Sequence, residues 1–564
     1  MNNKWIKSIV LLGALAVVTT GCLGKKDMAG MDHSNMPGMD MASPSPNATA
    51  ASSGHGNMKM VVPTPVLDAS KEITITAQAS NMTAADGKMM PVWTFNNSVP
   101  GPQIRAKVGD TIKVVLKNEL DDPVSIHWHG YPVPNTMDGI PGMTQDAVVK
   151  GKSFTYEFKA TIPGTYWYHS HQDSVNQLDK GLYGSLIVED PNEKFDRDYT
   201  LVLDEWMSMG SMDMGTDKAK ASDAPKESPK AASGHDMGNM AGMDHSKMES
   251  NKDASKDASK EAKADDHSGM NMAEHDMSMY DMYTINGKSG DAIDKLVIKE
   301  GDKVRIRLIN AGYITHKMHL HGHEFKVIAL DGQPVNSPAV IQDQAIAIAP
   351  GERYDIEFTA NNPGSWLLEE HGTEDRMKNM RAVIQYEGST KQTDQSNMAE
   401  KLPEFDLASY GKQSQTKFSV DQKFDQEVMM NLNTAMKGNE MVYTINDKIF
   451  PDTDPIKVKK GEKVKVTFVN KSPKDDHPMH LHGHFFQVIS KNGQPLTGAP
   501  VIKDTLNVKP GETYVIAFKA DNPGDWMFHC HDLHHASTGM MSEVHYSDYT
   551  KEYKPDPTVP NKPE

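Results

Sequence analysis

Apolar and polar residues alternate along three well-separated parts of the chain. In each part a Gly-acid turn leads into an alternating apolar run, at residues 92–118, 282–310 and 442–470. A second alternating run follows in each part, at residues 151–171, 351–371 and 511–531. A period of two is typical of a strand with one buried face. The pattern therefore predicts β-strands in all three parts.

The three parts are copies of one unit. Gly301 precedes Gly461 by 160 residues, and the same separation relates Trp366 to Trp526. Short strands rich in Val, Ile, Thr and aromatic residues, separated by Gly and Pro turns and repeated at this length, are typical of Greek-key β-sandwiches or barrels. We therefore predict an all-β protein of three tandem domains, at residues 60–195, 196–395 and 400–550.

The start of the chain has the features of a secretory signal peptide. A Lys-containing start precedes an apolar run at residues 9–18, and small residues precede Cys22. The run is too short for a mature membrane-spanning helix. "TTGC" at residues 19–22 resembles a bacterial lipobox, which implies a signal peptide at residues 1–21 and lipidation of Cys22. The alternative is an ordinary cleaved signal peptide with an incidental cysteine.

Two segments contain too few branched apolar residues to form a core. Residues 22–59 and 207–281 are dominated by Lys, Asp, Ala, Ser, Met and His. Such segments cannot offset the entropy cost of ordering. We predict a disordered linker at 22–59, a disordered insertion in the second domain at 207–281, and a tail at 551–564.

Charge and cysteine content restrict the possible partners and stabilising bonds. The formal charge of −17 argues against nucleic acid as a partner, because phosphate binding needs a basic face. No feature of the sequence identifies a protein partner. Cys22 and Cys530 are the only cysteines of the sequence, so lipidation of Cys22 leaves no disulfide pair. The thiol of Cys530 therefore needs a chemical explanation.

Histidines occur in pairs two residues apart in the first and third parts of the chain. Alternate strand residues project to the same face, so each pair offers two imidazoles to one side. The pairs are His127/His129, His169/His171, His480/His482 and His529/His531. Eight neutral imidazoles that converge at a domain interface are suitable ligands for a copper cluster.

Cys530 lies between two of these histidines and must point to the opposite face. His477, Cys530, His535 and Met540 then supply two nitrogens, a thiolate and a weak thioether, which is the ligand set of a blue-copper electron-transfer site. The backbone joins such a site directly to His529 and His531.

These four motifs, "HWHG", "HSH", "HPMHLHGH" and "HCHDLHHASTGM", are similar to the copper signatures of multicopper oxidases, and the resemblance covers residues 60–550. It implies three cupredoxin domains and four copper ions, with a type 1 copper in the third domain and a trinuclear cluster between the first and third. For type 1 copper it implies His477, Cys530, His535 and Met540. For type 2 copper it implies His127 and His480. For the type 3 pair it implies His129, His169, His171, His482, His529 and His531.

The same resemblance suggests residues for proton delivery. Asp138 in "MDGIPG" matches an acidic residue that lies near the type 2 site in relatives; an ordinary Asp-Gly turn is the alternative. Several bacterial relatives carry Glu after the second type 1 histidine, whereas Ala536 follows His535 here. Asp532 and Glu543 are the remaining candidates, and the sequence does not rank them.

The middle domain has a histidine motif but no thiolate. "HKMHLHGHEF" at 316–325 is close to "HPMHLHGHFF" at 477–486, yet Glu369, Glu370 and His371 align with His529, Cys530 and His531. A blue-copper site is therefore excluded there, as it is in the first domain, which has Ser170 at this place. The histidines of the motif are either remnants of a duplicated ancestor or an accessory metal site: His316, His319, His321 and His323.

The resemblance implies one-electron oxidation of a reductant coupled to four-electron reduction of dioxygen to water. Thioethers favour Cu(I), so the Met- and His-rich segments indicate copper capture and a role in copper tolerance, with Cu(I) as reductant. A spacer with an accidental Met content is the alternative reading of those segments. A laccase-type oxidase of small phenols or aromatic amines is the second hypothesis, and a copper-storage lipoprotein the third. We expect the protein outside the cytoplasm, held to a bacterial membrane by its lipid.

Overall fold

The computed structural model describes residues 59–84, 87–207, 279–372, 375–392 and 401–564. Regular structure there is almost entirely β-strand, as predicted, with two short α-helices, α1 (Ser174–Asp179) and α2 (Leu533–Ser537). The predicted signal peptide, Cys22, nearly all of the linker and residues 208–278 of the predicted insertion lie outside the described residues. Within the described part, no helix is long and apolar enough to cross a membrane.

The first part of the chain forms two four-stranded sheets, ordered β1-β4-β8-β7 and β3-β2-β5-β6. Burial alternates along β5 and β6, which is the predicted period of two. The strands are β1 (Val66–Asp68), β2 (Ile73–Thr83), β3 (Met89–Phe95), β4 (Gly101–Lys107), β5 (Thr111–Asn118), β6 (Ser153–Lys159), β7 (Gly164–His169) and β8 (Tyr183–Glu189).

The middle part forms a six-stranded sheet, β10-β9-β12-β17-β14-β15, and a five-stranded sheet, β11-β19-β18-β13-β16. Strands β9 and β10 are antiparallel neighbours that flank residues 208–278, with Trp206 opposite Met282. The strands are β9 (Arg197–Trp206), β10 (Met282–Ile285), β11 (Leu296–Ile298), β12 (Lys303–Asn310), β13 (His316–Leu320), β14 (Lys326–Leu330), β15 (Gln333–Pro334), β16 (Ile346–Ile348), β17 (Arg353–Thr359), β18 (Ser365–Glu370) and β19 (Arg381–Tyr386).

The last part forms a seven-stranded sheet, β21-β20-β23-β29-β25-β26 with β27 on β25, and a five-stranded sheet, β22-β31-β30-β24-β28. The strands are β20 (Gln426–Lys437), β21 (Glu440–Ile445), β22 (Ile456–Val458), β23 (Lys463–Asn470), β24 (His477–Leu481), β25 (Phe486–Lys491), β26 (Gln494–Pro495), β27 (Val501–Lys503), β28 (Thr505–Val508), β29 (Thr513–Lys519), β30 (Asp525–Cys530) and β31 (Met541–Tyr546). Both the middle and last parts thus repeat one arrangement of two sheets.

The glycine of each "HLHGH" motif packs on a tryptophan. Gly483 has a φ of +68°, and a Cβ there would lie 2.5 Å from the ring of Trp526. Gly322 has the same relation to Trp366, with a Cβ distance of 2.2 Å. Only glycine adopts this backbone at such close approach without strain. The turn after each histidine strand is therefore fixed by the tryptophan of the neighbouring strand.

Buried apolar side chains join the three parts of the chain. One cluster contains Trp167 of β7, Trp206 of β9 and Leu533 of α2, at 1%, 3% and 0% exposure. A larger cluster is shared between the middle and last parts. This packing brings the histidine segments of the first and last parts face to face.

Candidate metal centres

The four histidine pairs meet between the first and last parts of the chain. His480 of β24 lies opposite His529 of β30, and His127 forms an isolated bridge with His169 at the end of β7. His127 and His129 therefore stand in an extended segment with a single bridge, rather than in a regular strand as predicted, because a turn begins at His129. The predicted convergence of the pairs nevertheless occurs.

The eight imidazoles form one compact buried group. The rings of His127 and His482 stack with centroids 3.9 Å apart, and those of His129 and His480 stack at 3.8 Å. The Nε2 atoms of His482 and His529 are 3.0 Å apart. All eight residues are at most 1% exposed.

One ring nitrogen of most of these histidines is fixed by a protein oxygen. The Nδ1 atom of His127 donates to the carbonyl oxygen of Asp138 (2.9 Å), and that of His480 donates to the carbonyl oxygen of Asp504 (3.0 Å). The Nδ1 atom of His169 donates to the carbonyl oxygen of Ser170 (2.9 Å). Such bonds fix the tautomer and leave a lone pair on the other nitrogen, as in metal-ligating histidines.

The remaining nitrogens suit a metal cluster. Six of the eight histidines have a buried ring nitrogen without a hydrogen-bond partner in the described part of the chain. These are His127, His129, His169, His171, His480 and His531. Buried polar atoms are rarely left unpaired in this number, and convergent imidazole lone pairs are good copper ligands. Several three-residue sets within the group place their ligand atoms within 4.8 Å of one another.

Burial disfavours the charged form of three of these imidazoles. It lowers the pKa of His169, His482 and His529 well below the usual value, and neighbouring imidazoles lower it further. These three imidazoles are therefore neutral at neutral pH, which is the state that binds a metal.

A second cluster lies on the other face of β30. The Sγ atom of Cys530 is 3.8 Å from Nδ1 of His477 and 3.6 Å from Nδ1 of His535, and the two Nδ1 atoms are 3.2 Å apart. Met540 is buried, and its carbonyl oxygen accepts from the backbone N–H of Cys530 (3.0 Å). The Nε2 atom of His477 is fixed by Ser472 Oγ at 2.7 Å. Cys530 thus faces away from the eight-histidine group, as its place between His529 and His531 predicts.

Burial raises the pKa of the Cys530 thiol well above its usual value. A thiolate at this place therefore needs a cation, and a coordinated metal ion supplies that charge. Burial also lowers the pKa of His477 to about 4, which leaves this imidazole neutral. The donor set of thiolate and neutral imidazoles fits copper.

Two aspartates contact the eight-histidine group. The Oδ2 atom of Asp138 lies 3.0 Å from Nδ1 of His482, and its Oδ1 atom lies 3.2 Å from Nδ1 of His127. The Oδ1 atom of Asp504 lies 3.3 Å from Nε2 of His129. Asp138 was predicted, whereas Asp504 was missed because it stands beside no histidine motif. The available signal was a pair of charged residues, Lys503 and Asp504, between the apolar runs that form β27 and β28.

The predicted tail is an ordered segment that reaches the histidine group. The carbonyl oxygen of Pro563 accepts from Nδ1 of His171 (2.7 Å), and Glu564 Oε1 lies 3.4 Å from Nε2 of the same ring. Burial raises the pKa of Glu564 well above its usual value. No sequence pattern predicts this contact, since the segment is short, polar and rich in proline.

The other two predicted acidic residues lie elsewhere. Asp532 accepts from the backbone N–H of His534 at the start of α2, and its Oδ2 atom is 3.3 Å from Nε2 of His535. Glu543 Oε2 lies 2.8 Å from Nε2 of His545. Asp532 therefore adjoins the cysteine site, and no contact in the described residues joins Glu543 to a histidine of the eight-membered group.

Histidines and carboxylates of the middle part form two further groups. His316 lies between Glu205 (3.2 Å) and Glu370 (3.4 Å). Although its burial lowers the pKa of His316, the hydrogen bonds to these carboxylates raise it to about 10. Glu369 faces the other way, toward His321 at 3.1 Å. The middle part therefore has an ion pair where the last part has its cysteine site.

Sequence models described as multicopper oxidase match residues 76–193, 243–389 and 421–549. The multicopper oxidase MmcO of Mycobacterium tuberculosis is 31% identical over 479 residues, which span 84% of this chain and 86% of that protein. The chain belongs to the multicopper oxidase family. Copper resistance protein A of Escherichia coli is 25% identical to this multicopper oxidase over 84% of the chain and 92% of the relative.

Solved structures confirm the fold of this multicopper oxidase. The laccase from Botrytis aclada has a TM-score of 0.64 at 24% identity, and the match covers 88% of this chain and 90% of the laccase. The three predicted cupredoxin-like domains are therefore confirmed. The family is one of oxidoreductases with four copper ions, of types 1, 2 and 3, and the two buried donor sets fit these ions.

Proposed function

We propose that this multicopper oxidase oxidises Cu(I) outside the cytoplasm, in copper tolerance, and passes the electrons to dioxygen. His477, Cys530, His535 and Met540 hold the type 1 ion in this proposal. The ligands of the other three ions are the eight paired histidines, with His127 and His480 at type 2. Copper, when bound, supplies one-electron transfer at the first site and reduction of dioxygen to water at the second.

The chain's own residues provide the connection between the two sites. Cys530 is covalently joined to His529 and His531, so the electron path follows two peptide units of β30. The hydrogen bond from the Cys530 N–H to the Met540 carbonyl oxygen holds the loop after α2 against this strand. Asp138 is the best-placed proton carrier, because it contacts both His127 and His482.

The observation that favours Cu(I) is an acidic cleft at His535. This cleft of about 330 Å³ is lined by three acidic residues, Asp475, Asp476 and Asp532, and by one basic residue, Lys474. Anionic oxygens at the edge of a type 1 ligand attract a cation and increase its rate of association. They offer a neutral phenol no such advantage.

A thioether supports the same substrate. Met441 Sδ accepts a hydrogen bond from the hydroxyl of Tyr443 (3.3 Å), whose ring centroid is 3.7 Å from that of His535. Thioethers favour Cu(I). Met441 lines a separate pocket with Tyr443 and His534, so a soft ligand lies next to the tyrosine that packs on His535. The name of the Escherichia coli relative, copper resistance protein A, agrees with this substrate.

A laccase-type oxidation of small phenols is the second candidate. The acidic cleft also has apolar walls, formed by Tyr313, Ile314, Pro350 and Pro478. Such walls accommodate an aromatic ring, and stacking on Tyr313 orients it.

The two candidates are separated by removing charge from the cleft. We expect the double variant Asp475→Asn/Asp476→Asn to lose about tenfold in kcat/KM for Cu(I), or ~1.4 kcal/mol of transition-state stabilisation. The value for a dimethoxyphenol should change less than twofold. Oxygen uptake with each reductant measures both constants. Asp291→Asn, a side chain that is 98% exposed, is the matched control.

Equal losses for both reductants would mean that the two aspartates only support the fold. Wild-type kcat/KM that is much higher for the phenol would favour the laccase reading.

Lipid attachment at Cys22 is a separate part of the proposal, and absence of labelled palmitate from wild-type protein expressed in bacteria would refute it.

A further inference from the structure

A second group of histidines and a carboxylate lies in the middle domain, apart from the proposed copper ligands. His319 of β13 is paired in register with Glu369 of β18, and His321 and His371 follow these strands. The same positions of the last domain are His480, His529, His482 and His531. The middle domain thus presents one half of a copper cluster with a carboxylate in place of one imidazole.

The polar atoms of this group converge at the spacing of metal ligands. The Nε2 atoms of His321 and His371 are 3.1 Å apart. Glu369 Oε1 lies 3.1 Å from Nε2 of His321 and 3.9 Å from Nε2 of His371. Ligands at 2.0–2.1 Å from a tetrahedral ion are about 3.3 Å apart, so the triangle already has the required size.

His319 completes the group. Its ring centroid is 4.5 Å from that of His321 and 5.1 Å from that of His371. Its Nδ1 atom donates to the carbonyl oxygen of Gln344 (3.1 Å), which leaves the lone pair on Nε2. A backbone carbonyl on the outer nitrogen is the usual support of a metal-ligating histidine.

We propose that His319, His321, Glu369 and His371 bind one divalent first-row metal ion. Three imidazoles and a carboxylate without thiolate select Cu(II) or Zn(II), and the general affinity order places Cu(II) first. Glu370, the neighbour of Glu369, points to His316 on the opposite face of β18. Because Glu370 stands where the last domain has Cys530, no thiolate adjoins this ion. The site therefore stores a metal ion and takes no part in electron transfer through Cys530.

The site is reachable from solvent. The side chain of His321 is 12% exposed. The side chains of His127, His129 and His171, which are proposed trinuclear ligands, are at most 2% exposed. A metal ion can exchange at the middle domain without opening the interface between the first and last domains. This difference makes the fifth ion separable from the four cofactor ions by mild chelation.

The test counts ions on the copper-loaded protein. After mild chelation and desalting, Zn(II) is titrated by calorimetry into wild type and into His321→Gln/His371→Gln. We expect one site fewer in the double variant, with blue absorbance and oxidase turnover unchanged. His545→Gln removes an imidazole whose side chain is 37% exposed and bound to Asp525 and Glu543, and it should keep the wild-type count.

The same number of Zn(II) sites in wild type and double variant would overturn the proposal, and would mean that the group is a hydrogen-bonded cluster only. If the double variant does not fold, Glu369→Gln decides, because it keeps every imidazole. It should weaken Zn(II) binding at one site at least tenfold, and unchanged affinity would overturn the proposal. Neither outcome depends on which reductant the enzyme oxidises.

Discussion

Asp504 connects the middle domain to two proposed copper ligands. Its carboxylate accepts from both terminal nitrogens of the fully buried Arg353, at 2.7 and 2.6 Å. It lies 3.3 Å from His129 and 3.4 Å from His480. Although burial raises the pKa of Asp504, the charge and hydrogen bonds of Arg353 outweigh burial and hold it below its usual range. Asp504 therefore stays ionised and orients two imidazoles.

Replacement of Asp504 by Asn should release copper from the trinuclear cluster. Loss of a carboxylate that supports metal-ligating histidines typically costs 10–100-fold in metal affinity or activity. We expect Asp504→Asn to lose cluster copper to a chelator at least tenfold more readily, while the blue absorption of the Cys530 site remains. Copper content and visible absorption after timed dialysis measure the two effects.

Asp355→Asn is the matched control for Asp504. Asp355 is also a buried carboxylate paired with an arginine, Arg307, at 3.2 Å, and it accepts from Thr165 Oγ1 at 2.7 Å. Its carboxylate contacts no proposed copper ligand among the described residues. Equal copper loss in both variants would show that any broken buried ion pair opens the cluster.

At the scale of elements, the segment 551–564 acts as a clasp on the first domain. Tyr553 donates to Asp146 (2.6 Å), and the backbone of Lys562 exchanges hydrogen bonds with Gln172 Oε1 (2.8 Å) and the N–H of Asp173 (2.7 Å). The segment ends against His171, whose Nδ1 is held by Pro563. The clasp thereby fixes the ring of one proposed type 3 ligand.

Truncation after residue 551 should lower oxidase turnover by about 10–100-fold, because His171 loses its carbonyl partner. Blue absorption should remain, since in the described part of the chain no hydrogen bond joins the clasp to the Cys530 thiol. Oxygen uptake and copper content measure the effect. Tyr553→Phe, which removes one hydrogen bond of the clasp but keeps Pro563, should stay within twofold of wild type. Faster turnover of the truncated protein would contradict this role and identify the clasp as a barrier to dioxygen.

The sequence predicted the strands well, and also the side of the sheet on which each side chain lies, because both follow from a two-residue period. His480 and His529 face one side of their sheet and Cys530 the other, as their spacing requires. Asp504, Arg353 and Glu564 were missed, since the contacts of Arg353 with Asp504 and of Glu564 with His171 join parts of the chain that are 151 or more residues apart. Such contacts depend on how the domains pack against one another. The alternation of apolar and polar residues along a strand carries no information about that packing.

At the scale of the molecule, the interface between the first and last domains is built from neutral imidazoles. Burial lowers the pKa of His171, His482 and His531 well below 6.5, the value expected in the unfolded chain. The unfolded state therefore binds more protons as the pH falls below 6.5. The copper-free protein consequently loses stability toward acid.

We expect the free energy of unfolding of copper-free protein to fall between pH 6.5 and 5, by up to about 1.4 kcal/mol per pH unit for each of these three histidines. The copper-loaded protein should change less over this range, because bound metal competes with protons. Urea unfolding of both forms at pH 7.5, 6.5 and 5.5 measures the slopes. Parallel slopes would show that the interface histidines do not control acid stability.

Because Trp206 and Met282 are cross-strand neighbours, the polypeptide leaves the middle sheet and returns to it at one point. A connection between Met207 and Met279 can therefore be exchanged without moving any strand of the middle sheet, while Tyr280 stays packed in the core. Loop-closure entropy rises slowly with length, and doubling a connection costs only about 0.6 kcal/mol. A connection of different length or composition can thus be placed there while the strands that carry the proposed copper ligands stay fixed.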